Sequence, residues 1–196
     1  MLTTHFAVEQ IQQSLGEAQR QLHDLSVQLT AWEQTPSEPM NGAPHEAGEK
    51  LLSPLLLGAT LASDLEIAAD RKRFVGGVAT GDPAALALAG RLLLFRAARA
   101  EQMPPLVKEI GEAFYQWSNE SAEPAAALRD ALASMLVDAC AAAGLRHSIE
   151  LACVGDRFDR MRHHASEAGL ELTEVRGWVV LRENGSVYTK AAVATK

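Results

Sequence analysis

ELTEVRGWVVLRENGSVYTKAAVAT, running from Glu171 to Thr195, is the stretch that decides the fold class. Apolar residues alternate with polar ones through Leu172, Val175, Val179 and Leu181, the chain meets Asn184-Gly185, and the pattern resumes through Val187, Ala191 and Val193. A two-residue repeat places successive side chains on opposite faces of a strand. Asn-Gly between β-rich runs signals a hairpin, because both central residues of a type I′ turn need positive φ. Upstream, Ile149, Leu151 and Cys153 alternate with Glu150 and Ala152 as a further half-buried strand. Gly155-Asp156 then turns the chain, Phe158 to Glu167 reads as a short helix that Asp156 would cap, and Gly169 stands past its end as a stop. Residues 145–196 are therefore predicted to be a small antiparallel β domain with one short helix and a C-terminal hairpin.

Residues 49–144 carry a different period. Helical spacing of apolar residues, punctuated by Gly and Pro, predicts a bundle of about four helices. The first runs from Glu49 to about Arg73, with Pro54 near its start and Gly76-Gly77 and Gly81 as breakers. Asp82-Pro83 is a cap followed by a first-turn proline and opens the second. Pro104-Pro105 ends or kinks that helix, the third continues to Ser118-Asn119, and the fourth runs from near Pro124 to a left-handed stop at Gly144. The fold class is thus α+β. Gly76 to Asp82 has the look of a phosphate-cradling loop, but no Lys-Ser/Thr follows, so it is read as an interhelical turn. Arg71-Lys72-Arg73 is read as solvated charge at a helix C-terminus.

In residues 1–34, apolar side chains at Val8, Ile11, Leu15, Ala18, Leu22, Leu25, Leu29 and Trp32 step by alternating threes and fours. Such a heptad seam stays buried along its length only by supercoiling with a partner. Val8, Ile11, Leu15, Leu22, Leu25 and Leu29 are the candidate dimerisation positions. The other reading is an amphipathic helix lying on its own domain. Residues 35–48, with Pro36, Pro39, Asn41-Gly42 and Pro44 and almost no apolar side chains, read as a flexible linker.

A formal net charge of −7 and a pI near 5.4 disfavour nucleic acid as a partner. Apolar runs are too short to span a bilayer. Two cysteines and no signal-peptide pattern suggest a reducing cytoplasm. Both Cys140 and Cys153 are expected to be inert buried thiols. His147, His163, His164 and Cys153 raise a metal reading, but no Cys-x-x-Cys or His-Glu-x-x-His spacing accompanies them and adjacent histidines on a helix diverge by about 100°. No metal, cofactor or catalytic residue is expected, and Asp156 with Asp159 is not read as an acid–base pair.

The run Gly155-Asp156-Arg157-Phe158-Asp159-Arg160-Met161-Arg162-His163-His164-Ala165 resembles the G-x-x-F-D-P-x-x-H-x-A signature of GrpE-type nucleotide exchange factors. Asn184-Gly185-Ser186-Val187-Tyr188-Thr189-Lys190-Ala191-Ala192-Val193 is similar to that family's final N-G-x-x-I-R-x-A-x-V hairpin. Within the signature the resemblance marks Gly155, Phe158, Asp159, His163 and Ala165 as structural, together with Gly185 of the hairpin. The family's proline falls on Arg160 and its chaperone-contacting arginine on Thr189, with Lys190 following. The resemblance implies a non-enzymatic, cytoplasmic stress-response co-chaperone: a homodimer whose β domain docks on the ATPase domain of a DnaK-type chaperone and speeds ADP release. Partner contacts are then expected at Trp178, Arg182, Tyr188, Thr189, Lys190 and Val193. The alternative is a diverged adaptor or scaffold with the same fold and no exchange activity.

Overall fold

A computed structural model describes residues 44–119, 125–167 and 169–196, with the side chains of 44–49 and 119 excluded. The chain divides into two units, Met1–Asn41 and Gly42–Lys196, and all described residues belong to the second. The heptad positions Val8 to Trp32 and linker residues 35–43 lie outside the described residues, so the coiled-coil and dimer expectations are not addressed there.

The described residues form five α-helices: α1 Pro44–Ser63, α2 Ala68–Thr80, α3 Pro83–Ala97, α4 Met103–Asn119 and α5 Ala126–Ala142. Six short strands follow, β1 Ser148–Glu150, β2 His163–Ala165, β3 Leu172–Val175, β4 Val179–Leu181, β5 Val187–Thr189 and β6 Ala191–Thr195. The architecture is α+β. No single described helix is long and apolar enough to cross a membrane.

Several element boundaries differ from the sequence expectation, each for a local reason. Residues 44–48 are helical and belong to α1, not to a linker. The first expected helix is two, because the Asp64 carboxylate accepts the Glu66 N–H at 2.8 Å and turns the chain. Arg71 Nη1 donates to the Leu61 and Asp64 carbonyls at 3.3 and 2.7 Å, satisfying acceptors that the ended helix exposes. Arg71-Lys72-Arg73 therefore sits in the first half of α2, not at a C-terminus, and Arg73 lies 4.7 Å above the Trp117 ring.

Gly76 and Gly77 continue α2 where a break was expected. The stop is Gly81, at φ 81°, with Asp82 N donating to Gly77 O at 2.9 Å and Gly81 N to Val78 O at 3.2 Å, the two bonds of a Schellman motif. Gly77 has another purpose: a Cβ there would lie 2.9 Å from Ala85 Cβ, so its absence lets α3 turn tightly against α2. Asp82 caps α3 as predicted, its carboxylate accepting from Ala84 N at 2.8 Å and Ala85 N at 3.3 Å. Pro104 and Pro105 do not end α3, which stops at Ala97; they occupy the first turn of α4, where the missing N–H costs nothing. At Gly144, φ 80°, Leu145 N donates to Cys140 O at 2.9 Å and closes α5.

The core runs through Leu56, Leu57, Phe74, Leu88, Leu92, Ile110, Phe114, Leu128, Leu132 and Leu136 and continues into Trp178, Val179 and Val180 of the β region. The strands make two three-stranded sheets, ordered β1-β4-β5 and β2-β6-β3. The first is antiparallel. The second is mixed, because β2 runs parallel to β6, so an all-antiparallel β domain is corrected.

Candidate functional site

The segment expected to be a short helix after Phe158 is a turn followed by β2. Asp159 makes the turn: its carboxylate accepts Met161 N at 2.8 Å, and its carbonyl accepts Arg162 N at 3.0 Å and His163 N at 2.7 Å. His163 Nδ1 in return accepts Asp159 N at 3.1 Å, a reciprocal lock that leaves no continuing helix. From His163 the chain is extended, so His163 is buried and His164 exposed on opposite strand faces rather than diverging around a helix. Burial pushes the His163 pKa below its usual value, against the opposing fields of Asp159, Glu150 and Asp156.

Asp156 caps no helix; its carboxylate accepts Cys153 N at 2.7 Å and closes the turn at Gly155, φ 94°. Phe158 N donates to Leu170 O and Leu172 N to Asp156 O, tying the signature loop to the start of β3 and the residues just before it. Gly169 does not stop a helix either. A Cβ on it would lie 2.6 Å from Lys196 O, so it admits the C-terminal strand.

The two segments that carry the family resemblance are hydrogen-bonded neighbours. In the β2–β6 ladder His163 pairs with Ala191, His164 with Ala192 and Ala165 with Val193. The Asn184-Gly185 hairpin joins β4 and β5, but its turn is not type I′. Gly185 alone is left-handed, at φ 76°, and no described residue other than glycine has positive φ. Gly185 N donates to Arg182 O and Arg182 N to Ser186 O, both at 2.8 Å, giving a type I turn ended by a left-handed glycine.

The expected contact residues divide by exposure. Trp178 is 1% exposed and Val193 4%, so neither offers a surface to a partner, and that expectation is corrected for both. Trp178 faces α4 instead. Its Nε1 donates to Val107 O at 2.8 Å, its ring stacks on Phe114 at 6.4 Å, and a Cβ on Gly111 would lie 2.6 Å from the indole. Gly111 was missed in the sequence, although a lone glycine inside an apolar helical run is a signal of close approach. Thr189 is half-buried and its Oγ1 is enclosed without a hydrogen-bond partner.

Arg182 and Lys190 remain at the surface. The Arg182 guanidinium lies 5.0 Å over the Tyr188 ring, which also meets His147 edge-on at 5.5 Å. Lys190 Nζ donates to Arg160 O at 2.6 Å. Cys140 is buried, and burial raises its pKa, but Cys153 is exposed, so the expectation of a buried thiol fails there. Among the described residues, no three His, Cys, Asp or Glu side chains converge as a metal site requires.

An open groove of about 560 Å³ lies between α1, α3 and α5, lined by Leu57, Phe95, Ala131 and Met135 with Arg96 and Asp138 among its polar groups. Arg96 is held there by donating to Leu55 O at 2.7 Å and Pro54 O at 3.3 Å, carbonyls freed where Gly58 breaks the α1 ladder.

These features define an α+β protein in which a small two-sheet unit is anchored on a helical body through Trp178 and Gly111. No family model matches the chain, and neither a curated protein nor a solved structure does.

Proposed function

We propose that this chain is a GrpE-like co-chaperone whose β unit docks on the ATPase domain of a DnaK-type chaperone and promotes ADP release without covalent chemistry. The observation that carries this reading is the β2–β6 ladder. The His163-x-Ala165 and Ala191-x-Val193 segments resemble separate parts of one family's pattern, and here they lie side by side in register. The turn before β2 gives Asp159 and His163 of the same pattern a shared structural task.

The mechanism is selective binding. A β unit that prefers an open nucleotide cleft to a closed one shifts the cleft toward opening, and ADP is then held less tightly. A tenfold shift needs about 1.4 kcal/mol of differential affinity, within the range of a few interfacial contacts.

The second reading, an adaptor on the same fold without exchange activity, is favoured by Thr189. At the position of the family's contacting arginine it presents a short, half-buried side chain. Timing fluorescent ADP release from a DnaK-type ATPase domain separates the two. Acceleration that saturates with added protein is the expected result; an unchanged rate at saturation rejects exchange and leaves the adaptor.

A further inference from the structure

We infer that Arg160, Lys190 and Arg182 form a cationic docking patch on the β unit that takes carboxylates from an acidic face of a folded protein; this rests on the docking reading above and specifies its partner's chemistry. Each of these side chains is exposed, and no described carboxylate lies within ion-pair distance of any of them, whereas Arg146, Arg162, Arg176 and Lys196 are each paired with a glutamate. Arg157 is a fourth exposed cation of this region with no described carboxylate partner; the other three are joined by local contacts. Lys190 Nζ is gripped by Arg160 O at 2.6 Å, and Lys190 follows two residues after Tyr188, on whose ring Arg182 rests.

Both long side chains are thereby held before any partner arrives. A flexible Lys or Arg loses rotamer freedom when it forms an interfacial contact, and a side chain already fixed loses less. Lys190 keeps further N–H donors for a carboxylate after its bond to Arg160. Arg160 and Lys190 also stand at or beside the two positions where the sequence departs from the family pattern, so charge enters here by a different route from Thr189.

Charge distribution favours an acidic partner. Residues 145–196 hold eight Lys and Arg against seven Asp and Glu, while the whole chain holds 18 against 25. The β unit thus carries a small positive balance within an acidic chain, which favours an acidic partner surface. Nucleic acid fits less well. Base stacking needs an open aromatic face, and Tyr188 already has Arg182 over its ring and His147 against it.

The test uses the full chain and three fluorescent probes of equal length: an oligoglutamate peptide, an oligoglutamine peptide and single-stranded DNA. The wild type should bind oligoglutamate more tightly than the other two, with affinity falling as salt rises. Arg160→Glu with Lys190→Glu should weaken oligoglutamate binding about tenfold, and Lys190→Gln by a smaller factor. Lys50→Glu with Lys72→Glu, the same charge change on exposed helical positions, should leave it close to wild type. Equal binding by the Arg160/Lys190 variant and wild type, tighter binding of DNA, or no binding of oligoglutamate would overturn the patch. ADP release is measured separately on the same proteins. If release is unaffected by wild type while oligoglutamate binding follows the variants, the exchange reading fails and the patch stands.

Discussion

The indole of Trp178 rests on Gly111 so closely that a β-carbon there would lie 2.6 Å from its ring. This contact, with the bond from Trp178 Nε1 to Val107 O, fastens β4 to α4 and sets where the exposed part of the β unit is presented. Gly111→Ala should destabilise the protein by about 2 kcal/mol, because overpacking at a filled site outweighs the gain of about 1 kcal/mol that alanine brings to a helix interior. Gly90→Ala is the counterpart. It lies inside α3 with nothing within 4 Å of the added carbon, so it should stabilise by about 0.5–1 kcal/mol. Urea melts of both variants check this, and a shift of the same sign in both would refute the packing argument.

Removing the indole N–H while keeping a ring isolates the other half of the joint. Trp178→Phe should cost about 2 kcal/mol, combining a lost buried hydrogen bond with lost volume. A melt indistinguishable from wild type would mean that the bond to Val107 carries no stability.

Protonation of His163 couples the β unit to pH. Its folded pKa is lowered from the ordinary 6.5, mainly by burial, so the unfolded chain binds more protons between the two values. The stability it contributes is fully present above the unfolded pKa and is lost as pH falls through the folded one. Protonation at Nδ1 also removes the acceptor for Asp159 N. Between about pH 7.5 and 5.5 the wild type should therefore lose more stability than His163→Asn, which does not titrate in that window. Parallel pH profiles of Tm would count against a role for His163 in that loss.

Gly58 and Gly185 are two of the five described glycines whose backbone lies at positive φ. Gly58, at φ 83° and ψ 164°, occupies a region that side chains with a Cβ avoid, and Gly58→Ala should cost about 1–3 kcal/mol. Gly185 is left-handed at φ 76° with open space around it, so Gly185→Ala should cost about 1 kcal/mol and Gly185→Asn less. Chemical denaturation ranks the three, and an alanine that equals asparagine at 185 would mean the turn relaxes to another type.

Asp82 both follows the C-terminal stop of α2 and caps α3. Asp82→Ala should cost about 1 kcal/mol and Asp82→Asn much less, since asparagine keeps the accepting oxygen. Equal losses in the two variants would assign the effect to charge rather than to capping.

Local chemistry made parts of this arrangement readable in the chain. Asp82-Pro83, Gly81 and Gly144 mark helix ends because they satisfy terminal backbone groups within a few residues. The change of period after Gly144 separates helices from strands. Gly76-Gly77 misled, because the tight corner with Ala85 favours a helix there despite the glycines' low propensity. Phe158 to Glu167 misled in the opposite direction. Its helical spacing loses to the Asp159–His163 lock and to a parallel pairing with a strand that follows much later in sequence.

The candidate site divides in the same way. All four of Arg182, Lys190, Trp178 and Val193 are expected as contacts from the resemblance; the first two are exposed and the last two buried, since a strand's alternation does not say which face another element will cover.

The sequence by itself determined the class of the described regions, α then β, together with the stops at Gly81 and Gly144, since these depend on backbone bonds made between near neighbours. Tertiary structure alone decided that β2 runs parallel to β6, that Trp178 turns inward onto Gly111, and that Lys190 is held by the Arg160 carbonyl. Those features join residues distant along the chain, and their free energy arises only when packing brings the surfaces together.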